Sequence, residues 1–385
     1  MKKFSVLILG ADGTQTLPIV ESLHRSCELH GFFRNKLSYG YASRYFNRRK
    51  LIHPETEADY VQLIRNYVEE NNIDVLFPMS DKTAELLSIH KEELSKIVKF
   101  VVPESQSFAL GYDKNQLMHV CSSCNISHPR TIDLDTTPFE AVSKSIFPAL
   151  IKPNITTGGR GMTRVNSIYE FIEKYPEIHK VYGSCHLQEF IETGGKQIKV
   201  QLFIDKSGSL LCYSVLHKQR FYPEKGGSSS CNETIINDDV VEMCHKVLRE
   251  IHWEGFADFD LIEDPKDGVL KIMEINPRVP ACVKSSIKSG ADYANLYVDY
   301  ALGKKTGKYT SKPGYKLRHI GFEMLWFIHS KNRWESKPSW FRFVDRHLFF
   351  QDFSWNDPMP FLLGTLENLS KLLSPEFNKQ KSGLR

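Results

Sequence analysis

Two short segments carry most of the chemistry legible in this chain. In the first, Phe147-Pro-Ala-Leu-Ile-Lys152-Pro-Asn-Ile-Thr156-Thr157-Gly158-Gly159-Arg160-Gly161-Met162, a strand-like run ends in a lysine, and the loop after it holds three glycines within four residues. Such a loop lets backbone N–H groups approach phosphate oxygens without obstruction by side chains. Lys152 adds a point charge beside them. No Gly-Lys-Ser/Thr follows and the next residues read as strand, so this is not a Walker A loop. Taken alone, a plain glycine-rich hairpin explains the segment equally well.

In the second segment, Leu270-Lys-Ile-Met-Glu274-Ile-Asn276-Pro277-Arg278, Glu274 and Asn276 stand two apart on a predicted strand and share one face. A carboxylate and an amide oxygen placed so suit a hard cation such as Mg2+. Asp260 ends the preceding strand, and a turn at Asp264-Pro-Lys-Asp-Gly268 would fold it back as a third oxygen ligand. Arg278, just beyond the strand, can hold phosphate or carboxylate in bidentate fashion. The competing reading is a solvated hairpin face. Between the two segments lies His217-Lys218-Gln219-Arg220, followed by Gly226-Gly-Ser-Ser-Ser230. Arg220 is the residue expected there to hold the γ-phosphate or an acidic substrate, against the alternative of a basic turn facing water. His217 by itself reads as structural.

The elements that position these residues follow from periodicity. Phe4–Leu9 is an apolar strand, followed by Gly10-Ala11-Asp12-Gly13 and a helical run from about 15 to 25. This is a βα unit without a dinucleotide fingerprint, because Asp12 and Gln15 stand where GxGxxG needs glycine. A helix at 59–70, a strand at 73–77, the turn Pro78-Met-Ser-Asp81 into another helix, and a short strand at 99–102 complete a small parallel α/β domain. From about 106 the texture changes. After a helix at 113–124 come strands at 149–152, 185–191, 198–204 and 210–215, separated as in an antiparallel sheet. A helix at 238–251, the hairpin 257–262 with 270–275, and a helix at 292–302 follow.

Together these segments resemble the ATP-grasp superfamily over about residues 1–305: Asp113-Lys114 opening a helix, Pro148-Ala-Leu-Ile-Lys152-Pro153, the Thr-Gly-Gly-Arg-Gly loop, Gln188-Glu189-Phe190-Ile191, and Asp260 with Glu274-Ile-Asn276-Pro-Arg278. Among its branches the chain is similar to the carboxylate–amine ligases that include D-aspartate ligase, with a likeness to the carbamoyl-phosphate synthase large subunit. The resemblance implies an α/β and α+β chain. A Rossmann-like preATP-grasp domain would occupy 1–105, a two-lobed ATP-grasp domain 106–305 with its small lobe at about 128–192, and a carboxy-terminal extension 306–385.

It also implies roles. Lys114 and Lys152 would contact ATP phosphates, with Lys152 also near the adenine. The loop residues Thr156, Thr157, Gly158, Gly159, Gly161 and Met162 would fold over the triphosphate. The hinge Gln188, Glu189, Phe190 and Ile191 would meet the adenine edge, with the main chain of Gln188 and Ile191 reading it. Gln197 stands where the family usually has a ribose-binding glutamate. Asp260, Glu274 and Asn276 would hold one or two Mg2+, Mn2+ being an alternative, and Asp260 is shorter than the commoner glutamate. Arg278 would stabilise the acyl phosphate; Lys152 and Arg220 are the other residues expected to be catalytic. The implied reaction joins a small-molecule carboxylate to an amine at the expense of ATP. Carbamoyl- or carboxy-phosphate formation and a non-catalytic nucleotide sensor or scaffold are the alternatives. A homodimer is compatible with it.

Composition sets the outer limits. The 385 residues are 41% apolar and 25% charged, and 50 Lys plus Arg against 46 Asp plus Glu leave +4 spread along the chain. This balance excludes a disordered chain and gives no electrostatic case for nucleic acid. No apolar run approaches the roughly 20 residues that span a bilayer, and no secretory signal is read at the amino terminus, so a cytoplasmic location without a membrane partner is expected. The eight cysteines are scattered, and the only CxxC, Cys121-Ser-Ser-Cys124, has no second pair to complete a zinc site. Those thiols are expected to lie on a helix. The last 80 residues cluster tryptophan and phenylalanine with basic residues. Packing across the grasp domain or a second subunit is the preferred expectation there, ahead of an amphipathic membrane-surface patch.

Overall fold

The computed structural model describes residues 3–137, 142, 146–156, 159–223 and 228–372. Its first body is a parallel sheet. Strands β1 (Phe4–Leu9), β2 (Cys27–Phe33), β3 (Arg48–Leu51) and β4 (Val75–Pro78) run in the order β3-β2-β1-β4. Five consecutive buried residues in β1 and four in β4 explain why these strands are apolar without alternation. Helices α1 (Thr16–Leu23), α2 (Tyr39–Ala42), α3 (Glu57–Asn71), α4 (Asp81–Ile89) and the single turn α5 (Lys91–Leu94) surround the sheet. The chain passes to β2 on one side of β1 and to β4 on the other, so a crevice opens at the carboxyl ends of β1 and β4. The turns at 10–13 and 78–81 lie at that crevice. Gly10 needs its left-handed φ of 70° to make the first turn. Ser80 makes the second by capping α4 reciprocally with Thr83.

Sequence periodicity missed β2 and β3, because His30 and Gly31 interrupt one apolar run and Arg-Arg-Lys occupies the other. The strand expected at 99–102 is reduced to a single bridge between Lys99 and Val75.

Helices α6 (Ser105–Tyr112) and α7 (Lys114–Ser123) lead to a second sheet of β5 (Thr131–Asp133), β6 (Ala149–Pro153), β7 (Thr163–Val165) and β8 (Cys185–Glu189), ordered β5-β8-β6-β7. Helix α8 (Ile168–Tyr182) covers one face, with Phe171 and Tyr175 packed on Ile151 and Leu187.

The largest sheet contains β9 (Gln197–Ile204), β10 (Leu210–Tyr222), β11 (Ser228–Ile235), β12 (Gly255–Glu263), β13 (Leu270–Asn276), β14 (Tyr309–Thr310), β15 (Lys316–Arg318) and β16 (Leu348–Phe350). Its core is built with α7 and α9 (Asp238–Glu250) around Leu117, Val200, Val247, Trp253 and Phe259. Helices α10 (Val283–Lys288) and α11 (Tyr293–Ala301) join it to the parallel sheet. Phe77, Phe203, Phe256 and Tyr297 share one core, and the Tyr297 hydroxyl donates to the Leu76 carbonyl at 3.0 Å. The carboxy-terminal segment divides its packing. Strands β15 and β16 extend the large sheet, α12 (Ile320–His329) lies over β10 and β11, and α13 (Met359–Leu372) docks on α2.

Candidate active site

Strand β6 carries Lys152 into a buried position where its ammonium donates to the Gln188 side-chain oxygen at 3.0 Å. Burial pushes Lys152 down to about 8; Glu274 opposes the shift and Lys114 adds to it. The sequence reading gave Gln188 a main-chain role only. The structure adds a side-chain role, because the Gln188 amide oxygen holds the lysine. Lys114 opens α7, whose cap Asp113 accepts from the Asn115 and Gln116 N–H groups at 2.8 and 3.0 Å. The Lys114 ammonium donates to the Thr156 carbonyl at 2.7 Å and stands 3.7 Å from Glu274. One side chain therefore ties the glycine loop to the acidic strand.

In that loop Gly159 and Gly161 take φ of 72° and 73°. A Cβ on Gly161 would lie 2.7 Å from the Tyr182 ring and 2.8 Å from Pro153, so the close turn requires glycine. Met162 N–H closes it onto the Gly159 carbonyl at 3.4 Å. Thr157 and Gly158, expected to take part, lie outside the described residues. Beyond β8, Glu189 pairs with Lys271 at 3.1 Å and the Phe190 ring lies under Arg164. These contacts brace the run through Ile191 towards Gln197, which opens β9 opposite Lys218 and Ile262.

The hairpin of β12 and β13 pairs Asp260 with Glu274 and Asp258 with Asn276. Asn276 donates from Nδ2 to Asp260 at 3.2 Å, and its Oδ1 accepts from Arg278 at 3.2 Å. Arg278 also meets Asp81, at the start of α4, at 2.9 Å. The hairpin and the crevice of the parallel sheet thus share one charged cluster. Lys199 on β9 contacts Asp258 at 2.5 Å and Asp260 at 2.9 Å, and Lys218 on β10 bonds the other Asp260 oxygen. Burial opposes ionisation of Asp260, but Lys199 and Lys218 outweigh it and hold the carboxyl well below the usual range. For Asp258, burial outweighs Lys199 and pushes it up.

Lys199, Asp258 and Asp81 were given no site role from sequence. A signal existed for two of them: Lys199 alternates with Ile198 and Val200, and Asp258 with Ala257 and Phe259, which marks both as sharing a polar strand face.

Arg220 requires a correction. Its guanidinium donates to both Glu323 oxygens, at 2.9 and 2.5 Å, and to the Pro338 carbonyl at 2.6 Å. Arg318 meets the same Glu323 at 2.7 Å. Arg220 is a structural tie between β10 and α12. The ladder of β10 with β11 slips at Gln219, so Lys218 and Arg220, two apart, do not share a face. Lys218 is the member of this segment that reaches the charged cluster. Cys121 is buried in α7 and Cys124 ends it, and burial pushes the Cys121 thiol up to about 12. The helical placement of these thiols was expected.

The oxygen donors fit Mg2+. Asp258 leaves one buried oxygen without a hydrogen-bond partner, beside Asp260, Glu274 and Asn276. Among the described residues no three acidic, imidazole or thiol side chains converge as in an all-protein cage.

A family model described as an ATP-grasp in the biosynthetic pathway with Ter operon matches residues 214–321. The carbamoyl phosphate synthase large chain of Caldanaerobacter subterraneus subsp. tengcongensis is 24% identical over 260 residues, covering 64% of this chain and 24% of that protein. The chain is similar to ATP-grasp proteins. D-aspartate ligase of Enterococcus faecium is 25% identical over 243 residues, which is 55% of each protein. The chain therefore spans about a quarter of the synthase and about half of the ligase. Its fold is similar to the biotin carboxylase domain of Hydrogenobacter thermophilus 2-oxoglutarate carboxylase, a dimer in complex with MgADP, ADP and bicarbonate. That match has a TM-score of 0.68 at 16% identity, over 82% of this chain and 74% of that one. Among the described residues no helix is long and apolar enough to cross a membrane.

Proposed function

We propose that this protein is an ATP-dependent ligase that activates a substrate carboxylate as an acyl phosphate and joins it to an amine. The observation that carries the reading is the Lys114 bridge. It ties the glycine loop to Glu274, and so supports reading the loop, Lys152, the Asp260–Glu274–Asn276 face and Arg278 as one site. Lys114, Lys152 and the main chain at 159–162 would bind the triphosphate. The 188–191 run would take the adenine and Gln197 the ribose. Asp260, Glu274 and Asn276 would hold Mg2+, which when bound offsets charge on the phosphoryl oxygens.

In the first step a carboxylate oxygen attacks the γ-phosphorus and ADP leaves. In the second the amine nitrogen attacks the carbonyl carbon, phosphate departs and the nitrogen loses a proton. Arg278, held by Asp81 and Asn276, would neutralise the acyl phosphate. The protein supplies positioning and charge, and no nucleophilic side chain is needed. The similarity to D-aspartate ligase supports the carboxylate–amine chemistry.

Release of ADP measured against a panel of amino acids and small acids, with hydroxylamine present to trap acyl phosphate as hydroxamate, tests the proposal. Hydroxamate formed with one organic acid is the expected result. ADP release driven by bicarbonate alone would replace the reading with carboxy-phosphate chemistry, the reading favoured by the synthase similarity. Nucleotide binding without any turnover would leave a sensor or scaffold.

A further inference from the structure

The segment from α12 to β16 exposes apolar side chains to solvent. Met324 and Ile328, four apart on α12, are 49% and 58% exposed; Trp334, Phe341 and Val344 in the following loop are 72%, 54% and 91% exposed. The rings among them are in contact with one another and with α12. Phe327, on the same helical arc, lies 5.4 Å from the Trp334 ring and 5.7 Å from Phe341, and those two rings stack at 5.6 Å. Cations surround this face: Lys331, Lys337, Arg342 and Arg346 are exposed, and Arg333 lies over Phe327. Against these five, residues 331–346 contain only Glu335 and Asp345 as acids, leaving a net charge of +3. Most of the net charge of the whole chain sits here.

We propose that this face docks on an anionic lipid surface. A two-fold contact between copies would set +3 against +3, which like-charge repulsion opposes. A nucleic acid would satisfy the cations but leave Met324, Ile328 and Val344 in water. A lipid interface satisfies both sets. Indole and phenyl rings settle at headgroup level, aliphatic tips enter the acyl boundary, and Lys and Arg meet anionic headgroups. The attachment is peripheral. It is tied to β10, because Glu323 of α12 holds Arg220. The inference is independent of the ligase reading.

Sedimentation with vesicles of phosphatidylcholine alone, or mixed with phosphatidylglycerol, tests it on the full chain. Binding is expected only with phosphatidylglycerol, and raised salt should weaken it. Val344→Asp with Trp334→Ser, and separately Lys331→Glu with Arg346→Glu, should each lower vesicle affinity at least tenfold while the thermal transition and ADP binding stay unchanged. Equal binding to both vesicle types, no binding to either, or binding that survives both variant pairs would overturn the proposal. So would a dimer seen by light scattering that the first pair dissociates while vesicles are ignored, and so would binding to duplex DNA without binding to vesicles.

Discussion

Replacing Lys152 by methionine separates what a buried ammonium does for the nucleotide from what it does to the fold. The side chain is 4% exposed, and burial brings its pKa from 10.5 to about 8. That gap of about 2.5, at 1.36 kcal/mol per pKa unit, means that keeping the charge at neutral pH costs the folded protein about 3 kcal/mol. Methionine removes this cost but leaves the Gln188 oxygen without its donor, which costs about 1–3 kcal/mol. The two nearly cancel. The apo protein should therefore be as stable as the wild type or up to about 2 kcal/mol more stable in urea unfolding.

Nucleotide binding should move the other way. A charged hydrogen bond to phosphate contributes about 1.5–3 kcal/mol, so ADP affinity by calorimetry should fall about 10- to 100-fold. The pH dependence gives a second reading with a definite sign. Between about pH 8 and 10.5 the unfolded chain keeps the Lys152 proton that the folded chain has lost, so its contribution makes apo stability rise with pH across that window. ADP affinity should fall across the same rise, and both trends should vanish in the variant. Unchanged ADP affinity would refute the placement of this lysine at the nucleotide. A destabilisation beyond about 1 kcal/mol would mean that the ammonium is a structural tie instead.

Gln188→Ala should weaken ADP binding about tenfold by releasing Lys152, whereas Gln188→Glu, which still accepts from the ammonium, should retain it; equal affinity in all three proteins would show that the pair has no part in binding. Glu274→Gln should lower kcat by roughly 10²-fold, about 2.7 kcal/mol, with a much smaller change in ADP affinity, and wild-type turnover with unchanged Mg2+ dependence would remove the metal role. Arg220→Leu should destabilise the fold by about 3–5 kcal/mol, since Glu323 loses one of its two cations inside the protein, while kcat/KM of the folded fraction stays near wild type. Arg278→Ala should spare ADP binding and abolish hydroxamate formation from the carboxylate substrate, and the reverse pattern would place Arg278 on the nucleotide.

The local patterns in this chain were decided by sequence. The apolar run before Gly10, the two-residue spacing of Glu274 and Asn276, the turn that folds Asp260 onto them, and the glycines after Lys152 each follow from φ freedom or strand alternation, which act within a few residues. Those local patterns were enough for β1 and β4 of the parallel sheet, for the hairpin and for the loop, but not for β2 and β3. Partners brought together across sheets were not legible. Gln188 meets Lys152 because β8 and β6 are neighbours, and Lys199 meets Asp258 and Asp260 because β9 lies beside β12. Arg220 looked equivalent to Lys218 in one dimension, and a bulge at Gln219 sent the two side chains to different neighbours. The exposure of Trp334 and Val344 was equally hidden, since composition marks an aromatic residue as apolar without saying whether anything covers it. Sequence determines which backbone conformations and faces are available at short range. Which charges meet, and which apolar groups are left facing water, is decided only when distant strands pack, because those contacts depend on sheet order and register.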